Sequence, residues 1–328
     1  MTTRPGLWAP IILSLLVIGT GMPVQVTAQE TIRVATPLLP TPAFPQMLAS
    51  DKGFFQKRGL RAEFIRINSE PTTYQALIAG DVHVTSGAPV GLVLSHAQGI
   101  DVVALASWYN IVPYTLATRE KISDLSLLKG KKIGINRLGG RSALILQVML
   151  EDAGLDPFKD VMLLQLGGSQ ERLAALLSGG IDAAPVDFSL EPKMASLGLF
   201  LVKTKRTPFL TAPTVVRKSY LQSHRSTLRR FFEGYLEAMQ HMIKNKEDSF
   251  RTLARVLGTG DRQILEHTYN GLLSDLDPNL IPSQDAVKNL LKMVAYTDKR
   301  AASVKAEALF DFSLLEELGI KTTRPSQK

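Results

Sequence analysis

Short apolar runs alternate with amphipathic stretches along this chain, most clearly between Gly139 and Ala184. Leu144, Ile145, Val148 and Met149 recur at helical spacing, which predicts one apolar stripe on a helix. Gly139-Gly140 precedes it as a turn, and Ser142 is placed to cap its N-terminus. Gly154 closes it, because only glycine takes the left-handed closing conformation cheaply, and Asp156-Pro157 blocks a restart. Val161 to Leu166 is an unbroken apolar run, the pattern of a buried strand. A second helix through Leu173 to Leu177 ends at Gly179-Gly180, and Ile181 to Val186 begins another buried strand. This order of elements predicts an α/β layer around a mostly parallel sheet.

The pattern occurs twice. Leu48 to Gly53 echoes Met149 to Gly154, and Leu77 to Val82 echoes Leu176 to Ile181. Ile32 to Thr36 stands before the first copy as Lys132 to Asn136 stands before the second. The displacement is about a hundred residues at all three places, too long for a solenoid period. Two similar α/β lobes are predicted.

Further strands are expected at Thr31 to Thr36, Ala62 to Ile67, Val82 to Thr85 and Val102 to Ala106. Pro37, Pro40, Pro42 and Pro45 stiffen the loop after the first of these. That loop and the small-residue loop Ser86-Gly87-Ala88-Pro89 both follow carboxyl ends of strands, where α/β sheets bind ligands. Beyond Lys218 the chain turns helical. Leu228, Phe231, Phe232, Tyr235, Leu236, Met239, Met242 and Ile243 hold a 3.6-residue period, the stripe of a core-facing helix. Helices near Phe250 to Leu257, Asp261 to Leu273 and Gln284 to Tyr296, the last capped by Ser283, are expected to pack on the first lobe. The tail from Arg324 is polar and expected to fray.

Composition narrows the class. Residues 1–28 carry one charge, Arg4, and a short apolar core from Leu7 to Ile18 that Gly19, Gly21 and Pro23 break. That core is too short to span a membrane, and Val26-Thr27-Ala28 fits a cleavage site, so a secretory signal peptide is expected. The chain has no cysteine, hence no lipid-anchor site and no disulfide, as suits a soluble protein exported to a bacterial periplasm. Loss of Arg4 lowers the formal charge of +8 to +7. The basic residues are scattered and not interleaved with aromatics, which argues against a nucleic-acid partner. His83, His96, His224, His241 and His267 show no metal-ligand spacing. Nucleophile elbow, P-loop and dinucleotide fingerprint are all missing. Binding without catalysis, with no metal and no cofactor, is the expectation.

Met47 to Ile65, MLASDKGFFQKRGLRAEFI, resembles the opening of a family of ABC-importer substrate-binding proteins. That family includes sulfonate, taurine and nitrate binders and the fungal thiamine-pyrimidine synthases. Leu77 to Val82 and LLSGGIDAA (Leu176 to Ala184) resemble its helix-glycine-strand pattern, and Lys129 to Ile135 resembles the strand entering its second lobe. The resemblance extends to about Val215. It implies an α/β, type II periplasmic-binding fold: two lobes, two crossovers, a ligand cleft between them and extra C-terminal helices. Pro113 to Thr118 and Leu210 to Val216 suit the crossovers. Lobe one would then hold residues 29–115 and 213–328, and lobe two residues 116–212. The implied partners are a small-molecule ligand and an ABC permease in the inner membrane, with the binding protein a monomer. A pyrimidine-precursor binder or thiamine-pyrimidine biosynthetic protein is the alternative, disfavoured by the missing cysteine and the leader. A ligand-presenting sensor is the third.

On that fold the candidate ligand contacts in lobe one are Leu38, Pro42, Gly87, Ala88, Trp108 and Tyr109. Those in lobe two are Arg137, Gly139, Gly140, Arg141, Ser142 and Asp187. The Gly139 to Ser142 loop opens a helix, so its free amides and partial positive charge suit an anion. Arg137 or Arg141 either adds a bidentate contact to a carboxylate or sulfonate, or faces solvent. Trp108 and Tyr109 either wall a ring or alkyl chain, or pack between the lobes. Asp187 either binds an amine or hydroxyl, or pairs with an arginine. Anionic organics lead as the ligand class and a neutral heterocycle follows.

Overall fold

The computed structural model describes residues 1–2, 29–36, 41, 43–67, 69–111, 114–202, 208–277 and 279–322, with Arg141 described by its backbone alone. Residues 3–28 of the expected leader, Leu38, Pro42, Pro113 and the C-terminal tail lie outside the described residues.

Seven elements build the first lobe: β1 (Glu30–Thr36), α1 (Phe44–Asp51), β2 (Leu60–Arg66), α2 (Glu70–Ala79), β3 (Val84–Ser86), α3 (Pro89–Ala97) and β4 (Val102–Ser107). The second lobe holds β5 (Tyr114–Thr118), β6 (Lys132–Ile135), α4 (Arg141–Asp152), β7 (Met162–Gln165), α5 (Ser169–Ser178), β8 (Ala183–Asp187), α6 (Glu191–Ser196) and β9 (Phe200–Val202). The chain returns as β10 (Pro213–Arg217). It continues as α7 (Lys218–Ser223), α8 (Arg225–Lys244), α9 (Lys246–Leu257), α10 (Arg262–Asp275), α11 (Gln284–Thr297) and α12 (Ser313–Glu317).

The two sheets share one topology. Their strand orders are β2-β1-β3-β10-β4 and β7-β6-β8-β5-β9. In each, the second strand pairs in parallel with both neighbours, and the fourth pairs antiparallel with both. The sequence repeat is therefore a structural repeat. Gly80 and Gly179 close the matched helices α2 and α5 at φ +90° and +81°, a region costly for any residue with a Cβ. An arginine guanidinium lies against each, Arg217 at Gly80 and Arg119 at Gly179.

Two segments cross between the sheets side by side. Trp108 N donates to Ala212 O at 3.3 Å, Thr211 N to Tyr109 O at 3.0 Å and Phe209 N to Asn110 O at 2.9 Å. The outgoing segment thus precedes the expected Pro113 to Thr118, and the returning one overlaps the start of the expected Leu210 to Val216. Tyr114–Thr118 and Pro213–Arg217 already belong to the sheets, because their apolar faces are covered by helices.

Packing departs from the sequence pattern in three instructive places. β7 is an edge strand with Met162 half-exposed and only partly buried neighbours, so its apolar run marks an edge rather than a sheet centre. Helix α4 is buried on two faces, not one. Leu144, Ile145 and Met149 join a cluster containing Leu290 and Val294 of α11, whereas Ala143, Leu146 and Leu150 join Ile133 and Ile135 of β6. Helices α8 and α9 do pack on lobe one, with Phe231, Phe232 and Tyr235 fully buried there. Helices α10 and α11 instead touch both lobes: α10 meets the turn after β8, and α11 meets α4. The C-terminal extension is therefore part of the junction between the lobes.

Candidate functional site

The start of α4 is shaped by Asn136. Its backbone N–H donates to Ser142 Oγ at 2.9 Å, and Ser142 Oγ donates to Asn136 Oδ1 at 2.8 Å. Ser142 is therefore not the helix cap. The cap is Gly140, which has no side chain to offer, and Ser142 stands inside the first turn bracing the loop. Glycine is needed at position 140, since a Cβ there would lie 2.5 Å from the Asn136 side chain. No acid stands in this first turn, so its amides keep the partial positive charge of a helix start.

A second helix start lies beside it. Arg172, in the first turn of α5, is only 1 % exposed. Its Nε donates to Pro185 O at 2.9 Å, its Nη2 to Ser169 Oγ at 3.0 Å, and its Nη1 to Gly167 O. All three acceptors are neutral. Burial pulls its pKa below the usual arginine value, yet a guanidinium stays protonated in any protein. Exposed Glu171 lies beside Gly168 on the same turn and offsets part of this charge. A guanidinium buried among neutral acceptors leaves positive charge in a poor solvent, a state that an incoming anion relieves.

These two helix starts form one wall of a cavity of about 550 Å³. Asn136, Arg137, Gly139, Gly140, Gly168, Ser169 and Arg172 line it from lobe two. The opposite wall is lobe one, with Glu70, Tyr74 and Ile78 of α2 and Val90, Gly91 and Leu94 of α3. Tyr74 is held by its hydroxyl donating to Ala88 O at 2.9 Å. Gly91 lets the Tyr74 ring lie on α3, since a Cβ there would come within 2.3 Å of the ring. Thr297 of α11 completes the lining. The cavity thus has a polar, electropositive side and a largely apolar side, each from a different lobe.

The two lobes also touch directly at Thr41 and Asp187. Thr41 Oγ1 of lobe one donates to Asp187 Oδ2 of lobe two at 3.3 Å. Asp187 Oδ1 accepts from Ser189 N at 3.0 Å and from its hydroxyl at 2.5 Å. Burial raises the Asp187 carboxyl, while the bonds from Ser189 and Thr41 oppose the rise. Gln46 and Ser86 join at 2.7 Å nearby in lobe one. The Tyr235 hydroxyl faces the Gln46 amide without closing a hydrogen bond, and Gln46 Oε1, Tyr235 OH and Tyr109 OH are buried without partners.

Of the residues expected from sequence, the structure gathers Arg137, Gly139 and Gly140 on the cavity wall, with Ser142 behind them. The side chain of Arg141, like Leu38 and Pro42, lies outside what is described. Trp108 is not a wall of the cavity. It is fully buried in lobe one, stacked on Tyr235 and Phe232, with its indole N–H donating to Thr214 Oγ1 at 2.6 Å. Helix α8 covers the end of β4, which is why an aromatic there becomes core. Tyr109 lies in the crossing ladder, 3 % exposed. Gly87 donates its N–H to Pro213 O, and the Ala88 carbonyl holds Tyr74, so this loop supports the cavity from behind. Asp187 pairs with hydroxyls rather than an arginine. Glu70 and Arg172 escaped notice in the sequence. The internal repeat carries the missing signal: matching Gly80 with Gly179 sets Glu70 against Ser169 and Thr73 against Arg172, two breaks of symmetry at the cleft.

Contacts outside the cavity also join the lobes. His267 Nε2 of α10 lies 3.2 Å from Glu191 Oε2 of α6 and 3.2 Å from Phe188 O, and Lys292 of α11 meets Glu151 of α4 at 2.9 Å. The Glu191 carboxylate raises the His267 pKa above the ordinary value of about 6.5. A raised histidine favours the joined lobes fully below about pH 6.5, and that preference is lost as pH rises through the raised value. Lobe closure by small-angle scattering is therefore expected to be greater at pH 6 than at pH 8.5, and His267→Gln is expected to flatten the difference.

A pair of α/β lobes joined by two crossing segments, with a lined cavity between, defines the periplasmic-binding fold. Residues 41–249 match the family described as NMT1/THI5 like, and the chain belongs to it. Over 238 residues it is 25 % identical to the taurine-binding periplasmic protein of Escherichia coli K12, an alignment covering 68 % of this chain and 73 % of that protein. Among solved structures, a protein of Bordetella bronchiseptica RB50 superposes with a TM-score of 0.73 at 19 % identity, over 88 % of this chain and 97 % of that one. The periplasmic aliphatic sulphonate binding protein SsuA of Escherichia coli gives 0.67 at 18 % identity, over 87 % and 96 %. Among the described residues no helix is long and apolar enough to cross a membrane.

Proposed function

We propose that this chain is the solute-binding component of an ABC importer, holding a small organic anion between its lobes. One observation carries the proposal: the buried, positively charged Arg172 and the uncapped start of α4 face a cavity that lobe one closes from the other side. A ligand touching both walls at once stabilises the closed form, which is how such a protein signals its loaded state to a permease. The relatives named as taurine-binding and sulphonate-binding support the anionic class. The cavity volume lies in the range of small-molecule sites.

In this proposal the protein is exported, cleaved after Ala28 and monomeric in the periplasm. It binds its ligand unchanged. A sulfonate or carboxylate is the favoured ligand, and Trp108, being core, offers a neutral ring no stacking wall.

A thermal-shift screen of sulfonates, carboxylates, nitrate, amino acids and pyrimidines tests the proposal. An organic acid at about 100 times its dissociation constant should add ~2.7 kcal/mol. Mass spectrometry of the exported protein should find Gln29 first. Stabilisation by pyrimidines and by no acid would refute the anion assignment, and release of a product from the bound acid would refute the binding role.

A further inference from the structure

The outgoing crossing segment has a third strand beside it. The connector between α10 and α11 runs antiparallel to residues 107–110. Tyr109 bridges to Leu276, Asp277 N donates to Trp108 O at 3.2 Å, and Ser107 N donates to Leu280 O at 2.8 Å. Leu280 is fully buried at φ +58°, and among the described residues it is the one non-glycine in the left-handed region. Strain of this kind persists only where the surroundings impose it, so the connector is held by its bonds to the crossing. Asn110 ties the strands together. Its main-chain oxygen accepts from Phe209 N of the returning segment at 2.9 Å. Its Nδ2 donates to Asp277 Oδ2 at 2.9 Å and to Ile281 O at 3.0 Å, and its Oδ1 accepts from Ser107 Oγ at 2.9 Å. A carboxylate and a carbonyl only accept, so these partners fix the amide's orientation. Asn289 of α11 makes a matching tie, its Nδ2 donating to Pro208 O of the returning segment at 2.9 Å.

We propose that Asn110 is a positioning residue for lobe closure, knotting the α10–α11 connector to the crossing as a third hinge strand that fixes the twist at which the lobes meet. The inference rests on the two-lobe fold and holds whatever the ligand is. Its ground is the place of the knot. Rotation between lobes is absorbed by a few residues of the crossing segments. Residues 107–110 cannot turn freely while the connector is bonded to them. The helices on either side of the connector are the ones that reach lobe two, α10 at Glu191 through His267 and α11 at Glu151 through Lys292. One knot therefore sets the crossing and both helical contacts together, and a twist of the crossing shifts both helices against lobe two. Asn110 is not part of the cavity lining, so its effect on closure does not pass through a contact with ligand.

The test reads the distance between the lobes in the full exported protein without ligand. The chain has no cysteine, so two introduced ones carry spin labels alone. Ala79→Cys and Ala174→Cys put the labels at exposed positions of α2 and α5, helices that face each other across the cavity. Asn110→Ala should widen the distance distribution measured by pulsed electron resonance. The share of longer distances should rise about tenfold over the parent's, the shift expected when a hydrogen bond to a charged group that favours one state is lost. Asn110→Asp sets two carboxylates face to face and should widen it at least as far. Adding Asp277→Asn to Asn110→Asp restores a donor and an acceptor in reversed order and should narrow it again. A purely structural asparagine would lower the melting temperature and leave the folded protein's distribution as in the parent, and that result for Asn110→Ala overturns the proposal. A double variant no narrower than Asn110→Asp overturns it too, since the bond to Asp277 is then not the tie. Should Asn110→Ala fail to fold, Asn289→Ala decides by the same measurement: a widened distribution supports a crossing held by the helices, and an unchanged one overturns it.

Discussion

Arg172→Ala is expected to lower the unfolding free energy by about 2–4 kcal/mol and to abolish tight binding of organic acids. The guanidinium ties three places together: the middle of β8 through Pro185 O, the β7–α5 loop through Gly167 O, and the first residue of α5 through Ser169 Oγ. Removing it leaves buried acceptors unpaired, at about 1–3 kcal/mol each, and opens a void beside them. Relief of the buried charge returns part of this, which sets the net loss below the sum. Arg172→Lys separates the two roles. An ammonium keeps the charge but cannot span three acceptors, so stability should fall nearly as far while acids keep part of their affinity. Urea unfolding of the ligand-free proteins and calorimetry with the best acid read the two effects apart. An Arg172→Ala protein as stable as the parent would show that the guanidinium is not the tie described.

Gly271→Ala should move stability and affinity in opposite directions. Gly271 lies inside α10, where alanine is preferred by about 1 kcal/mol. A Cβ at this position would lie 2.5 Å from the Phe188 ring, which lobe two presents in the turn after β8. Inside one rigid body that clash would simply destabilise. Here it falls at the junction between lobes, so the open protein escapes it by not closing. The ligand-free protein should be as stable as the parent or slightly more so, and ligand affinity should fall about tenfold or more, in line with an overpacking cost of ~1–3 kcal/mol. Gly234→Ala is the matched control. Its Cβ would meet Phe55 at 2.8 Å within lobe one alone, so it should lower stability and leave the affinity of the remaining folded protein unchanged. Equal affinity of Gly271→Ala and parent would show that α10 does not take part in closure.

The fold was legible because its signals are local. Helix-closing glycines at 80, 154 and 179, the Ser283 cap and the α8 stripe each act within a few residues, and all stand in the structure. The repeat was legible because both lobes use the same closing glycines. Burial by distant elements was not legible. Trp108 reads as a cleft aromatic from its place at a strand end, and only α8, more than a hundred residues later, makes it core. The same holds for α4: its apolar stripe was visible, but not that α11 would cover it, nor that a second face, Ala143, Leu146 and Leu150, would pack on β6. At the site, the Gly139-Gly140 turn was visible, since paired glycines before a helical pattern have few other uses. Ser142 was misread as a cap because sequence cannot show that Gly140 starts the helix and Asn136 takes the hydroxyl. Arg172 and Glu70 were invisible as single residues. Each reads as an ordinary charge on an amphipathic helix, and only a three-dimensional contact, Pro185 O for one and the Val90 amide for the other, turns it inward.

A crystal structure of the protein with its tightest-binding organic acid tests the central claim most directly. The account predicts closed lobes with the acid oxygens within hydrogen-bonding reach of the amides that open α4, on the wall formed by Arg137 and Arg172. The remainder should lie along Tyr74 and Leu94. An acid seated instead where Thr41 meets Asp187, or at the start of α3 with Glu70 displaced, would contradict it.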